Sequence, residues 1–152
     1  MRTLTTTVLT SGAFDLIHYG HIRLLEEAKR LGGPDARLVV IVARDETVKR
    51  LKGRRPTFPE DQRRALIEAL EVVDEALLGY EDMDMATVIE KVRPDIIAVG
   101  YDQDDIERMV RRVIEEKGLD TEVMRIAKFV KSDLNSSSKI KRKIVEDLRS
   151  NH

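Results

Sequence analysis

A chain of 152 residues can bury a hydrophobic core without disulfides or metals, so one domain over 1–152 is expected. Apolar residues at 41% and charged residues at 36% exclude a disordered or collagen-like chain, and 27 basic against 28 acidic side chains give no reason to expect nucleic acid or a membrane as partner. With no cysteine, disulfides, thiolate metal sites and cysteine nucleophiles are excluded, and without a leader in Met1 to Thr10 or a long apolar span the chain reads as cytoplasmic.

Thr5 to Thr10 is rich in β-branched residues and runs into Ser11-Gly12, which predicts a first strand. From Gly20, the apolar Ile22, Leu24, Leu25, Ala28 and Leu31 recur at helical spacing until Gly32-Gly33-Pro34 stops them. Leu38 to Ala43 is a continuous apolar run, the pattern of a strand covered on both faces. A basic loop is expected from Lys49 to Arg55, then a helix opening at Pro59 and reaching about Leu70. Ala76 to Gly79 predicts a short strand, Met83 to Val92 a helix, and Ile96 to Val99 another buried strand. Asp104 to Lys117 reads as helix with Gly118 as its stop, Glu122 to Ile126 as strand, and Ser137 to Leu148 as an amphipathic helix. Strand and helix alternating at this pace predict right-handed βαβ units, hence an α/β, Rossmann-like three-layer sandwich with a mainly parallel five-stranded sheet. Ligands in such sheets sit beyond the carboxyl ends of the strands, so the loops that follow strands hold the candidate site.

The first such loop is Ser11-Gly12-Ala13-Phe14-Asp15-Leu16-Ile17-His18-Tyr19-Gly20-His21. A helix start offers unpaired N–H groups and a positive dipole end, and Gly20 lets a phosphate approach the backbone. His18 and His21, three apart, can present both rings to one phosphate and stabilise charge developing on it. The same letters also suit a cap at His18, an exposed His21 and glycines that only turn the chain; a zinc site has thin support, with no third ligand in sight. The basic stretch holding Lys52 leaves the same sheet edge and can neutralise a phosphate, although a solvated surface is the ordinary fate of such charges. Gly100 and Asp102 end a buried strand; Asp102 can accept from ribose hydroxyls or a base amino group, or else it or Asp104 caps the next helix. Ser136, Ser137 and Ser138 open the last helix, where one hydroxyl suffices as cap and three can form a second anion site with Lys139 or Lys141.

The run Gly12 to His21 resembles the G-T-F-D-x-x-H-x-G-H signature of the cytidylyltransferase-like nucleotidyltransferases, with Ala13 in place of Thr and Tyr19 where many members carry Pro. Asn135-Ser136-Ser137-Ser138-Lys139-Ile140-Lys141 resembles the same family's I-S-S/T-T-x-I-K/R motif, with Asn135 in place of Ile. The resemblance spans nearly the whole chain and implies a Rossmann-like fold, a magnesium ion carried on the triphosphate with no metal ligands from protein side chains, and a homodimer. It further implies His18, His21 and Lys52 as catalytic residues, and Ala13, Phe14, Tyr19, Gly20, Gly100, Asp102 and Ser136 to Ser138 around the nucleotide. Asp15, Arg63 and Lys141 are the candidates for acceptor or phosphate contacts. Within the family the chain is most similar to the archaeal FAD synthase group, which implies ATP and FMN as substrates. Glycerol-3-phosphate or related cytidylyltransferases using CTP share the motifs, and a non-catalytic nucleotide-binding regulator is the third reading.

Overall fold

In the computed structural model, residues 5–80, 84–127 and 136–151 are described. The strands are β1 (Thr7–Gly12), β2 (Arg37–Val42), β3 (Glu75–Leu78), β4 (Ile96–Val99) and β5 (Glu122–Arg125). The helices are α1 (Tyr19–Leu31), α2 (Asp45–Lys52), α3 (Glu60–Glu68), α4 (Met85–Val92), α5 (Asp104–Lys117) and α6 (Ser137–Ser150). All strands pair in parallel, in the order β3-β2-β1-β4-β5. The chain winds outward from β1 to β3 and then returns to lay β4 against the other side of β1. That reversal opens a crevice at the carboxyl ends of β1 and β4.

Burial explains the composition of β2. Leu38, Val40 and Val42 face one side, packed with Leu25 and Ala28 of α1 and Ile67 of α3. Val39 and Ile41 face the other, with Met85, Val88 and Ile89 of α4 and Val110 of α5. A strand covered on both faces has no solvent side to make polar, and each such side chain contributes about 1.5–3 kcal/mol by leaving water. Among the described residues, no helix is long and apolar enough to cross a membrane.

The sequence placed β1 two residues early and missed a helix. Ser11 and Gly12 pair with Ile41 and Val42, so the β2 partner extends the strand beyond its β-branched letters. The expected basic loop from Lys49 to Arg55 is helical up to Lys52: α2 has Asp45 and Glu46 in its first turn, Lys49, Arg50 and Lys52 in its last, and Gly53 closing it at φ 77°. Those charges match the helix dipole at both ends and Gly53 tolerates the left-handed cap, so the stretch read as a charge run is a two-turn helix. Met83 lies outside the described residues; α4 is capped by Asp84, which accepts from the Thr87 N–H at 3.2 Å. Asn135 also lies outside them.

Candidate functional site

A cleft of about 850 Å³ lies across the carboxyl edge of the sheet, lined from the ends of β1 and β2, the turn after β4, α2 and the starts of α1, α4, α5 and α6. This is near the upper end of the usual range for a single ligand site, roughly 300–1,000 Å³.

The loop between β1 and α1 is held in a costly shape. Phe14 and Leu16 have φ of 53° and 50°, a left-handed conformation that non-glycine residues adopt at about 1–2 kcal/mol each. Three contacts hold it there. Phe14 is buried, edge-on to His21 with ring centroids 5.5 Å apart, and a Cβ on Gly12 would sit 3.0 Å from that ring, which is why residue 12 is glycine. The Asp15 carboxylate accepts from the N–H groups of Thr57 and Phe58 at 2.7 and 2.9 Å. The Ala13 carbonyl accepts from Arg63 Nη1 at 2.7 Å. Burial alone would raise the Asp15 carboxyl, but the two donated N–H groups and the Lys141 ammonium, 3.7 Å away, hold it below its ordinary value.

His18 and His21 form a reciprocal cap on α1. His18 Nδ1 accepts from the Gly20 N–H at 3.1 Å, and His21 Nδ1 accepts from the His18 N–H at 3.3 Å. The rings stack with centroids 3.8 Å apart. An Nδ1 that accepts carries no proton, so this network assigns the proton of each neutral imidazole to Nε2 and leaves two Nε2–H donors for a ligand. Burial lowers the His18 pKa. Burial, then the positive potential of His18 and Lys52, lowers that of His21 to about 3, against a smaller opposing pull from Asp15. Both rings are therefore neutral donors at physiological pH, and two imidazolium ions in that stack would repel each other.

Lys52, in the last turn of α2, lines the same cleft. Ser136, Ser137 and Ser138 line it from the start of α6. Their hydroxyls divide the work: Ser136 caps α6 by accepting from the Lys139 N–H at 3.2 Å, Ser137 donates to the Asp15 carbonyl, and Ser138 accepts from Arg54 Nη2 at 3.3 Å. Ser137 and Asp15 are 122 positions apart, so the two motifs meet through a direct bond. Ala13, Phe14, Gly20, Gly100 and Asp102 also line the cleft, Asp102 with its side chain exposed.

Other expected residues sit elsewhere. Tyr19 is 64% exposed and is not among the cleft residues. Arg63 is fully buried and engages four of its five N–H donors, with the carbonyls of Phe58, Ala13 and Ala43 and with Asp45, at 2.7–2.9 Å, so it shapes the site from below. Lys141 is turned to Asp15 and a neighbouring pocket. Asp104 pairs with Arg125 and caps nothing; the cap position of α5 belongs to Gln103.

Gln103 escaped the sequence reading. Its Oε1 accepts from the Gly100 N–H at 2.7 Å and its Nε2 donates to the Ser11 carbonyl at 3.0 Å, tying the ends of β4 and β1 at the winding reversal. Also unforeseen is an apolar lobe of the cleft: Ile41, Met85, Ile106 and Met109, from the face that carries α4 and α5, together with Leu51 and Tyr80. Leu51 and Tyr80 are exposed there, 60% and 38%. Alternation in β2 placed Ile41 on that face, but only the return of α4 and α5 makes it part of a wall.

The cytidylyltransferase-like family model matches residues 9–143. The FAD synthase of Methanopyrus kandleri is 45% identical over 139 residues, covering 91% of this chain and 91% of that protein. The FAD synthase of Ferroglobus placidus is 49% identical over 138 residues, covering 91% and 87%. Among solved structures, a lipopolysaccharide core biosynthesis protein from Thermoplasma volcanium superposes with a TM-score of 0.74 at 43% identity, over 82% of this chain and 98% of that one.

Proposed function

The chain belongs to the cytidylyltransferase-like family, and from that premise we propose that it is an FAD synthase, transferring AMP from ATP to FMN. A phosphate oxygen of FMN attacks the α-phosphorus of ATP. The bond from that phosphorus to the oxygen bridging the β-phosphate breaks, and pyrophosphate leaves with the electron pair.

The observation that carries the mechanism is the stacked, neutral imidazole pair. In this reading the two Nε2–H groups donate to the oxygens around the α-phosphorus, where negative charge builds in the transition state. Because their tautomers are fixed by backbone bonds before substrate arrives, the donors need no reorganisation, the condition under which such bonds act most strongly. Lys52, near enough to His21 to lower its pKa, adds positive charge to the same cleft. The Ser136 and Ser138 hydroxyls and the N–H groups at the start of α6 receive the outer phosphates, and Asp102 with the Gly100 turn faces the nucleoside. A magnesium ion would be carried by the triphosphate, since among the described residues no cluster of side chains could hold one, and would supply neutralisation of charge on the leaving pyrophosphate.

FMN is favoured as acceptor over glycerol 3-phosphate by the apolar lobe. A three-carbon polyol has nothing to bury against Tyr80, Met85 and Met109, whereas a fused aromatic ring does. The test is a panel of FMN, riboflavin and glycerol 3-phosphate, each with ATP or CTP and magnesium, read by pyrophosphate release and by FAD on chromatography. FAD from FMN and ATP is expected, with nothing from riboflavin, which lacks the attacking phosphate. Turnover confined to glycerol 3-phosphate and CTP overturns the assignment.

A further inference from the structure

The register between β1 and β4 ends at Leu9 and Ile97, and beyond that pair the strands part to open the crevice. Two side chains bridge the gap in place of the ladder. The Thr10 hydroxyl donates to the Ala98 carbonyl at 2.9 Å inside the core, and one residue further along β1 the Gln103 Nε2 donates to the Ser11 carbonyl at 3.0 Å. Ser11 and Gln103 line the cleft, whereas Thr10 and Ala98 lie beneath it. The other end of the same amide closes a turn. Gln103 Oε1 accepts from the Gly100 N–H at 2.7 Å while the Gln103 N–H donates to the Gly100 carbonyl at 3.1 Å, so Tyr101 and Asp102 stand inside a closed ring. Gln103 occupies the cap position of α5, yet its side chain makes no capping bond. The amide is used instead to link the turn that carries Asp102 to the strand that leads through Gly12 into the loop of His18 and His21.

We infer that Gln103 is a positioning residue that sets the span between the nucleoside end and the α-phosphate end of the site. This rests on the adenylyl-transfer reading, which puts the nucleoside at Asp102 and the α-phosphate at the imidazoles. Gln103 acts through Asp102, whose turn it closes, and through Ser11, whose carbonyl it holds. The two bonds do different work. The bond to Gly100 shapes the turn and so governs affinity for the nucleoside. The bond to Ser11 fixes that turn against β1, so it governs how well a bound nucleotide brings its α-phosphate to the donors, an alignment on which the chemical step depends more steeply than binding does.

The experiment uses the full chain and two variants. Gln103→Met keeps the length of the side chain and removes both bonds, while Gln103→Glu keeps an acceptor for the Gly100 N–H and removes the donor to Ser11. Binding of ATP, AMP and inorganic tripolyphosphate is measured by calorimetry well below each variant's own unfolding midpoint, and kcat and both KM values are taken from FAD formation. In Gln103→Met, ATP and AMP should weaken about tenfold, the size of one hydrogen bond, with tripolyphosphate and the KM for FMN within about twofold. In Gln103→Glu, the KM for ATP should stay within about threefold while kcat falls about tenfold. Tripolyphosphate also gauges the added carboxylate, since simple repulsion of the phosphates would weaken it as much as ATP. A methionine variant that binds AMP like wild type, or loses tripolyphosphate as much as ATP, overturns the inference. So does a glutamate variant with the kcat of wild type. If the wild type forms no FAD and the methionine variant still loses ATP and AMP but not tripolyphosphate, the acceptor reading falls and the role of Gln103 toward the nucleoside stands.

Discussion

His18 does two jobs with two nitrogens: Nδ1 caps α1 and Nε2 is offered to the cleft. Substitution can separate them. In His18→Asn the amide oxygen stands where Nδ1 accepts, so stability should hold within ~0.5 kcal/mol, while the outward donor is lost and turnover should fall about 10²–10³-fold. Comparing urea unfolding with FAD formation on the same preparation checks this; equal losses in both would mean that His18 only caps. His21 supplies a second expectation. Its folded pKa, about 3, lies below the ordinary 6.5. The unfolded chain therefore binds a proton as pH falls through that ordinary value, while the folded chain refuses it until much lower pH. The sign is a stability contribution complete above the ordinary value and lost as pH drops toward about 3. Urea midpoints at about pH 7 and about pH 5 should differ less in His21→Asn than in wild type, whose own midpoint falls with acid. A variant with the wild-type slope would remove His21 as the cause.

At the scale of elements, what joins the strand ends is a buried arginine. Arg63 on α3 bonds carbonyls at the ends of β1 and β2 and the Asp45 carboxylate at the start of α2. Arg63→Met leaves those acceptors and a partly buried carboxylate unpaired, and should cost about 3–5 kcal/mol, or roughly 10 °C in melting temperature. Lysine cannot rescue it, because one ammonium cannot reach acceptors arranged for a fork. Differential scanning calorimetry decides: a shift near zero would mean water replaces the clamp. Gly53→Ala tests α2 in the same way, with about 1–2 kcal/mol expected from forcing a side chain to φ 77°. Both residues mark the limit of reading letters. Arg63 is an ordinary helix residue in sequence, and its burial follows only once three loops converge on it. Gly53 was legible, since acidic residues, then basic ones, then glycine is a complete helix signature; it was hidden because the density of charge suggested a loop.

At the scale of the molecule, the order β3-β2-β1-β4-β5 explains which half of the site the sequence exposed. The phosphate half is built from contiguous runs, Gly12 to His21 and Ser136 to Lys141, so backbone N–H groups, hydroxyls and imidazoles stand together in the chain as they do in space. The apolar part of the cleft, to which the proposed function assigns the acceptor, is assembled from single residues on β2, α2, α4 and α5 and the turn after β3, each indistinguishable from core until the elements pack. If the two halves bind separate substrates, their substitutions should separate kinetically. Tyr80→Ala removes the exposed ring of the apolar lobe and should raise the KM for FMN about tenfold, the size of one lost aromatic stack, with the KM for ATP within about twofold. Ser137→Ala loses the bond to the Asp15 carbonyl and a hydroxyl of the phosphate half, and should act on ATP while leaving FMN affinity unchanged. Full saturation curves for both substrates in both variants check the division. An equal effect of Tyr80→Ala on both KM values would place the nucleotide, not the flavin ring, against the face of the sheet that carries α4 and α5.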